Sequence, residues 1–164
     1  MNTELYDLAK KIGIFLRAEK LFIVTAESCT GGLLAATLTD IPGSSEYFDR
    51  GFITYSNSAK QEVLGVHSET LEKFGAVSEE VAKEMAEGAL KNSHAQIAVA
   101  ITGIAGPDGG TENKPVGSVC IAWAHLGSSA KTVTMHFNGD RVSIRVRAVK
   151  CALEELLHYN IKVN

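Results

Sequence analysis

Leu5, Leu8, Ala9, Ile12, Phe15 and Leu16 recur at helical spacing between about Thr3 and Glu19, which predicts an opening helix with one buried face. The next run, Leu21 to Ala26 (LFIVTA), is nearly all apolar and β-branched, the pattern of a central strand covered on both sides. A short apolar helical segment from Gly31 to Leu38 follows and ends before the breaker Ile41-Pro42-Gly43. Gly51 to Tyr55 (GFITY) reads as a second strand, and the polar run Ser56 to Lys60 starts a helix carrying Val63 and Leu64.

Ser78 caps a further helix with acidic residues in its first turn, and Val81, Met85, Ala86 and Ala89 mark its apolar face. Gln96 to Thr102 (QIAVAIT) is a third buried strand, followed by a glycine-rich loop from Gly103 to Pro115 without periodicity. Val116 to His125 and Lys131 to Phe137 predict an antiparallel hairpin turning at Gly127-Ser128-Ser129. Arg141 to Tyr159 predicts a closing helix, with Asp140 as its N-cap. The expected fold is α/β: one three-layer α/β/α sandwich spanning 1–164, around a mixed, mainly parallel five-stranded sheet whose first three strands are parallel.

Composition changes this picture little. Hydrophobic residues at 45% and charged residues at 21% are ordinary for a packed domain. The formal charge of −3 removes the broad basic footprint of a nucleic-acid binder, so none is expected as a partner. No apolar run reaches the roughly 20 residues a membrane-spanning helix needs, so no membrane partner is expected either. The chain opens on an amphipathic helix rather than a signal sequence, and nothing is expected to be cleaved from it. Cys29, Cys120 and Cys151 form no CxxC pair, and their odd number suits a reducing, cytoplasmic setting. No metal-ligand spacing stands out among the His, Cys, Asp and Glu positions, so no metal is expected.

Ligands of open α/β sheets gather at the carboxyl ends of parallel strands. That rule selects three segments: Glu27 to Gly32, Tyr55 to Lys60, and Thr102 to Gly110. In the first, Ser28 and Cys29 precede a helix, and the N–H groups of Thr30, Gly31 and Gly32 are placed to receive an anion or a developing oxyanion. Ser28 needs a base. His67, His94, His125, His136 and His158 all fall outside the three segments, whereas Lys60 follows the second strand closely, and partial burial lowers a lysine's pKa.

At this point Ser28 with Lys60 competes with the plainer reading of a capping serine and a solvated lysine. Cys29 is a rival nucleophile. Tyr55, at the end of a strand, either reaches the crevice or is merely half-buried, and Thr102 either bonds the serine or lysine or simply ends its strand. Gly103 to Gly110 offers backbone N–H groups to an anion but lacks the Gly-Lys-Ser/Thr ending of a P-loop. Arg141 and Arg145, one helical turn apart, either clamp a phosphate or make surface salt bridges.

Five segments, taken together and in order, resemble the CinA C-terminal domain family. They are Thr25 to Gly32 (TAESCTGG), Pro42 to Ser45, Arg50 to Asn57 (RGFITYSN), Gly75 to Ser78, and Thr102 to Gly110 (TGIAGPDGG). The likeness spans nearly the whole chain. It implies hydrolysis of the carboxamide of nicotinamide mononucleotide to nicotinate mononucleotide and ammonia, within pyridine-nucleotide recycling. It further implies Ser28 as nucleophile, Lys60 as base, Tyr55 and Thr102 in support, and Ser45 and Arg141 as substrate contacts beside the backbone of Thr30, Gly31, Gly32, Gly103 and Gly106. No cofactor is implied, and a homodimer is. Longer members carry an additional N-terminal domain without counterpart in these 164 residues. The alternatives are a catalytically silent nucleotide-binding or regulatory module, which the Ser28, Lys60 and Tyr55 set argues against, and a DNA-associated competence factor, which the acidic balance disfavours.

Overall fold

A computed structural model describes residues 2–159. The apolar runs become strands β1 (Ile23–Glu27), β2 (Phe48–Ile53) and β3 (Ile97–Gly103), followed by β4 (Ser118–His125) and β5 (Lys131–His136). They form one sheet in the order β2-β1-β3-β4-β5. β2, β1 and β3 run parallel, while β4 and β5 add antiparallel neighbours at one side. The helices are α1 (Thr3–Glu19), α2 (Leu33–Thr39), α3 (Asn57–Leu64), α4 (Ser68–Phe74), α5 (Glu79–Lys91) and α6 (Arg141–His158).

Side chains alternate across a strand, and here the two faces receive different sizes. Ile97, Val99, Ile101, Val119, Ile121 and Trp123 point to one face and pack with buried residues of α1, α2 and α6. Ala98, Ala100, Ala122 and Ala124 point to the other, where Val81, Met85 and Ala86 of α5 sit against them. Trp123 is fully buried, and its indole N–H donates to Ala152 O at 3.0 Å, so the ring fills the core without an orphaned donor.

Several expected boundaries move. α2 begins at Leu33 because Gly31 (φ 58°) and Gly32 (φ 98°) adopt left-handed backbone and form the turn instead. β2 starts at Phe48, three residues early, and ends at Ile53, so Tyr55 lies beyond the strand. As an edge strand it contains Asp49 and Arg50, which hide it from a search for apolar runs. β4 starts at Ser118 because Gly117 (φ 94°) turns the chain and donates to Ile104 O at 2.8 Å. The short helix α4 and a single 3-10 turn at Ser44–Glu46 carry no buried residue and so no amphipathic signal. Among the described residues no helix is long and apolar enough to cross a membrane.

Candidate active site

β1 stands between β2 and β3, and the chain leaves it first to one side and then to the other, so its carboxyl end is a topological switch point. The sheet is still zipped there: Ser28 N–H donates to Ile101 O of β3 and Thr54 N–H to Glu27 O of β1, both at 2.9 Å. Past these bonds the chains diverge around a cleft of about 260 Å³. Ser28, Lys60, Tyr55, Thr102, Gly103, Gly106 and Arg141 line it, with Asn57, Ala76, Val77 and Asp108 also at its walls. Asn57 and Asp108 fall inside the segments that the strand-end rule selects, without having been singled out. The Ala76-Val77 connection between α4 and α5 gave no sequence signal beyond its family motif.

Lys60 owes its position to the corner before it. Ser56 caps α3, its Oγ accepting from Ala59 N–H at 3.0 Å, and this fixes the first turn that carries Lys60 inward. Only 1% of Lys60 is exposed. Its Nζ lies 3.0 Å from Ser28 Oγ, 2.9 Å from Thr54 O and 3.2 Å from Tyr55 O. Burial pushes the ammonium pKa below the ordinary lysine value of 10.5. The surroundings satisfy both protonation states: the cation donates to all three oxygens, while the neutral amine donates to the two carbonyls and turns its lone pair to the Ser28 hydroxyl.

Cys29 is in a different situation. Burial among the residues under α1, α2 and α6 pushes its thiol up to about 11, so at neutral pH it is a protonated core side chain rather than a thiolate. The Lys60 amine therefore lies 3.0 Å from a hydroxyl whose neighbouring thiol stays neutral.

Other expected positions differ. Thr30 is fully buried and its Oγ1 donates to Glu27 Oε1 at 2.7 Å, away from the cleft. Gly31 N–H is spent on Ser28 O at 3.0 Å, and neither Gly31 nor Gly32 lines the cleft. Ser45 sits in the turn before β2, at the amino end of the strand, whereas the cleft lies at the carboxyl end. Thr102 lines the cleft, but its hydroxyl donates to Ala76 O at 2.9 Å rather than to Ser28 or Lys60. Arg145 lies outside the cleft lining and makes no ion pair among the described residues: its Nε and Nη2 donate to Cys29 O and Thr30 O at 3.1 and 2.9 Å. Arg141 laces the mouth, donating to Gly106 O at 2.7 Å and to the Tyr55 hydroxyl at 2.9 Å.

A larger hollow of about 720 Å³ opens between α5 and β5, lined by Lys73, Lys83, Lys114, Glu80 and His136 among others. Its hydroxyls Thr132 and Thr134 both donate to the Glu79 carboxylate, at 2.7 and 2.8 Å. The Ser28 and Lys60 pair, not volume, singles out the smaller cleft.

The sequence model of the CinA C-terminal domain matches residues 5–160. The chain belongs to this family. A relative from Enterobacter agglomerans, the nicotinamide-nucleotide amidohydrolase PncC, is 49% identical over 96% of each chain. The protein of the same name from Escherichia coli K12 is 51% identical over 94% of each. Among solved structures, the competence/damage inducible protein CihA of Agrobacterium tumefaciens superposes with a TM-score of 0.94 at 47% identity, covering 96% of both chains. Membership of the family fits the five-stranded sheet and accounts for the order of the five motifs along the chain.

Proposed function

We propose that this chain, acting as one domain, is a nicotinamide-nucleotide amidohydrolase that converts nicotinamide mononucleotide and water to nicotinate mononucleotide and ammonia in the recycling of pyridine nucleotides. The observation that carries the mechanism is the buried Lys60 amine 3.0 Å from Ser28 Oγ. The names of the relatives in Enterobacter and Escherichia support the substrate.

Neutral Lys60 takes the proton of Ser28 as Oγ attacks the carboxamide carbon. The lysinium so formed keeps Thr54 O and Tyr55 O as acceptors and hands its proton to the departing nitrogen, which leaves as ammonia. Water then attacks the Ser28 ester, again losing a proton to Lys60, and the carboxylate is released with Ser28 regenerated. The tetrahedral oxyanion requires N–H donors. Gly31 N–H is engaged, whereas Cys29 N–H and, across the cleft, Ala105 and Gly106 N–H have no acceptor among the described residues and take this role. Arg141 and Tyr55 at the mouth receive the phosphate end, since a guanidinium carries five N–H donors and only two are in use.

Ammonia release from nicotinamide mononucleotide tests this reading. Ser28→Ala and Lys60→Ala are each expected to lower kcat by about a thousandfold or more, and Cys29→Ala to leave it within a fewfold. Full turnover in Ser28→Ala would overturn the nucleophile, and nucleotide binding without ammonia would replace the enzyme with a binding module. We further propose a cytoplasmic homodimer: Ile53, at the end of β2, and Val142, next to Arg141, are 59% and 65% exposed and leave apolar surface uncovered. Sedimentation giving the mass of a single 17.5 kDa chain would refute the dimer.

A further inference from the structure

The residue before Ser28 is a carboxylate at the end of a central strand, and it is completely buried. Removing a carboxylate from water is costly unless its oxygens are well supplied with donors. Glu27 has three: Thr30 Oγ1 and Leu34 N–H to Oε1 at 2.7 and 2.9 Å, and Ala35 N–H to Oε2 at 3.0 Å. Gly32, with φ 98°, occupies the N-cap with no side-chain bond, and the capping oxygens come from β1, across the turn that carries Ser28.

The same turn is held from its other side. Arg145 of α6 donates to Cys29 O and Thr30 O, Gly31 N–H claims Ser28 O, and Ser28 N–H is bound to Ile101 O. The backbone of 28–30 is thus pinned to β3, α2 and α6 together. Glu27 does not line the cleft, so it touches no substrate.

We infer that Glu27, acting through Thr30 and the first turn of α2, is a positioning residue that sets Ser28 Oγ against Lys60, with Arg145 as the opposing brace. The inference rests on Ser28 being the nucleophile. Its physical content is distance: Oγ and Nζ are 3.0 Å apart, and a misplacement of about 1 Å costs on the order of a hundredfold in rate.

Glu27→Gln keeps the volume but offers one acceptor oxygen and turns an NH2 toward the N–H of Leu34 or Ala35. The expected result is a fall in kcat of about tenfold to a hundredfold with KM within about twofold, measured where circular dichroism still shows the wild-type fold. The rate of Ser28 labelling by a fluorophosphonate, located by mass spectrometry, should fall in parallel, because labelling reads the nucleophile without the amide substrate. Thr30→Val should show the same split, and Thr30→Ser should recover most of the loss. That pair carries the test even if Glu27→Gln does not fold.

Wild-type kcat and labelling in Glu27→Gln or Thr30→Val, or losses that merely follow the unfolded fraction, would overturn the brace alone, provided Ser28→Ala is inert. Full turnover in Ser28→Ala would overturn the nucleophile and the brace together.

Discussion

Burial acts with opposite sign on the two ionisable neighbours of Ser28. It pushes the Cys29 thiol up to about 11, away from reactivity, and the Lys60 ammonium down, toward it. Lys60 must be neutral to accept a proton, so kcat/KM should rise with pH through a group titrating below 10.5, and this acid limb should vanish from the residual activity of Lys60→Met. Stability has a matching signature. The folded state binds the Lys60 proton more weakly than the unfolded chain, so the native protein carries a penalty below the folded pKa that is relieved as pH climbs toward 10.5. Chemical denaturation of wild type and Lys60→Met across that window should show wild type gaining on the variant as pH rises. A constant difference would show that burial does not perturb the amine.

At the scale of elements, α5 approaches its neighbours closely because Gly88 has no side chain. A Cβ there would stand 1.9 Å from Leu64 O at the end of α3. In a free helix Gly→Ala stabilises by about 1 kcal/mol, but here the methyl group meets backbone that must move, at about 1–3 kcal/mol for overpacking. Gly88→Ala should therefore lower the urea midpoint, and a raised midpoint would show that α3 yields freely. Most elements were legible from periodicity, because β1, β3, β4, α1, α5 and α6 each bury a continuous apolar pattern. α4 was not, having seven residues, no side-chain cap on His67 and nothing buried, and β2 was only half seen because its first three residues, Phe48-Asp49-Arg50, do not read as an apolar run. Both are held in place by tertiary contact rather than by local pattern.

In the whole molecule the sequence revealed what converges better than what bonds to what. The strand-end rule brought Ser28, Tyr55, Lys60 and Thr102 to one cleft, since that follows from topology alone. It placed Glu27 in its first segment without a role and did not reach Arg145, which binds carbonyls 115 and 116 positions away, a bond that no spacing rule encodes. Ser45, a substrate contact by resemblance alone, lies at the opposite end of the sheet, in the turn before β2.

Lys60 is wired differently. Its two carbonyl acceptors lie five and six residues back, and the cap that aims it, Ser56, lies four back, so all but the serine is supplied by one short stretch of chain. The Thr54 to Lys60 corner is in that sense a portable part. Grafted onto the edge strand of an unrelated parallel sheet, where it is equally buried, it should deliver a lysine that titrates below 10.5, readable from its side-chain ¹⁵N shift. A builder of new hydrolases would then add a serine at the end of the adjoining strand, N–H donors for the oxyanion and a brace for the serine's turn.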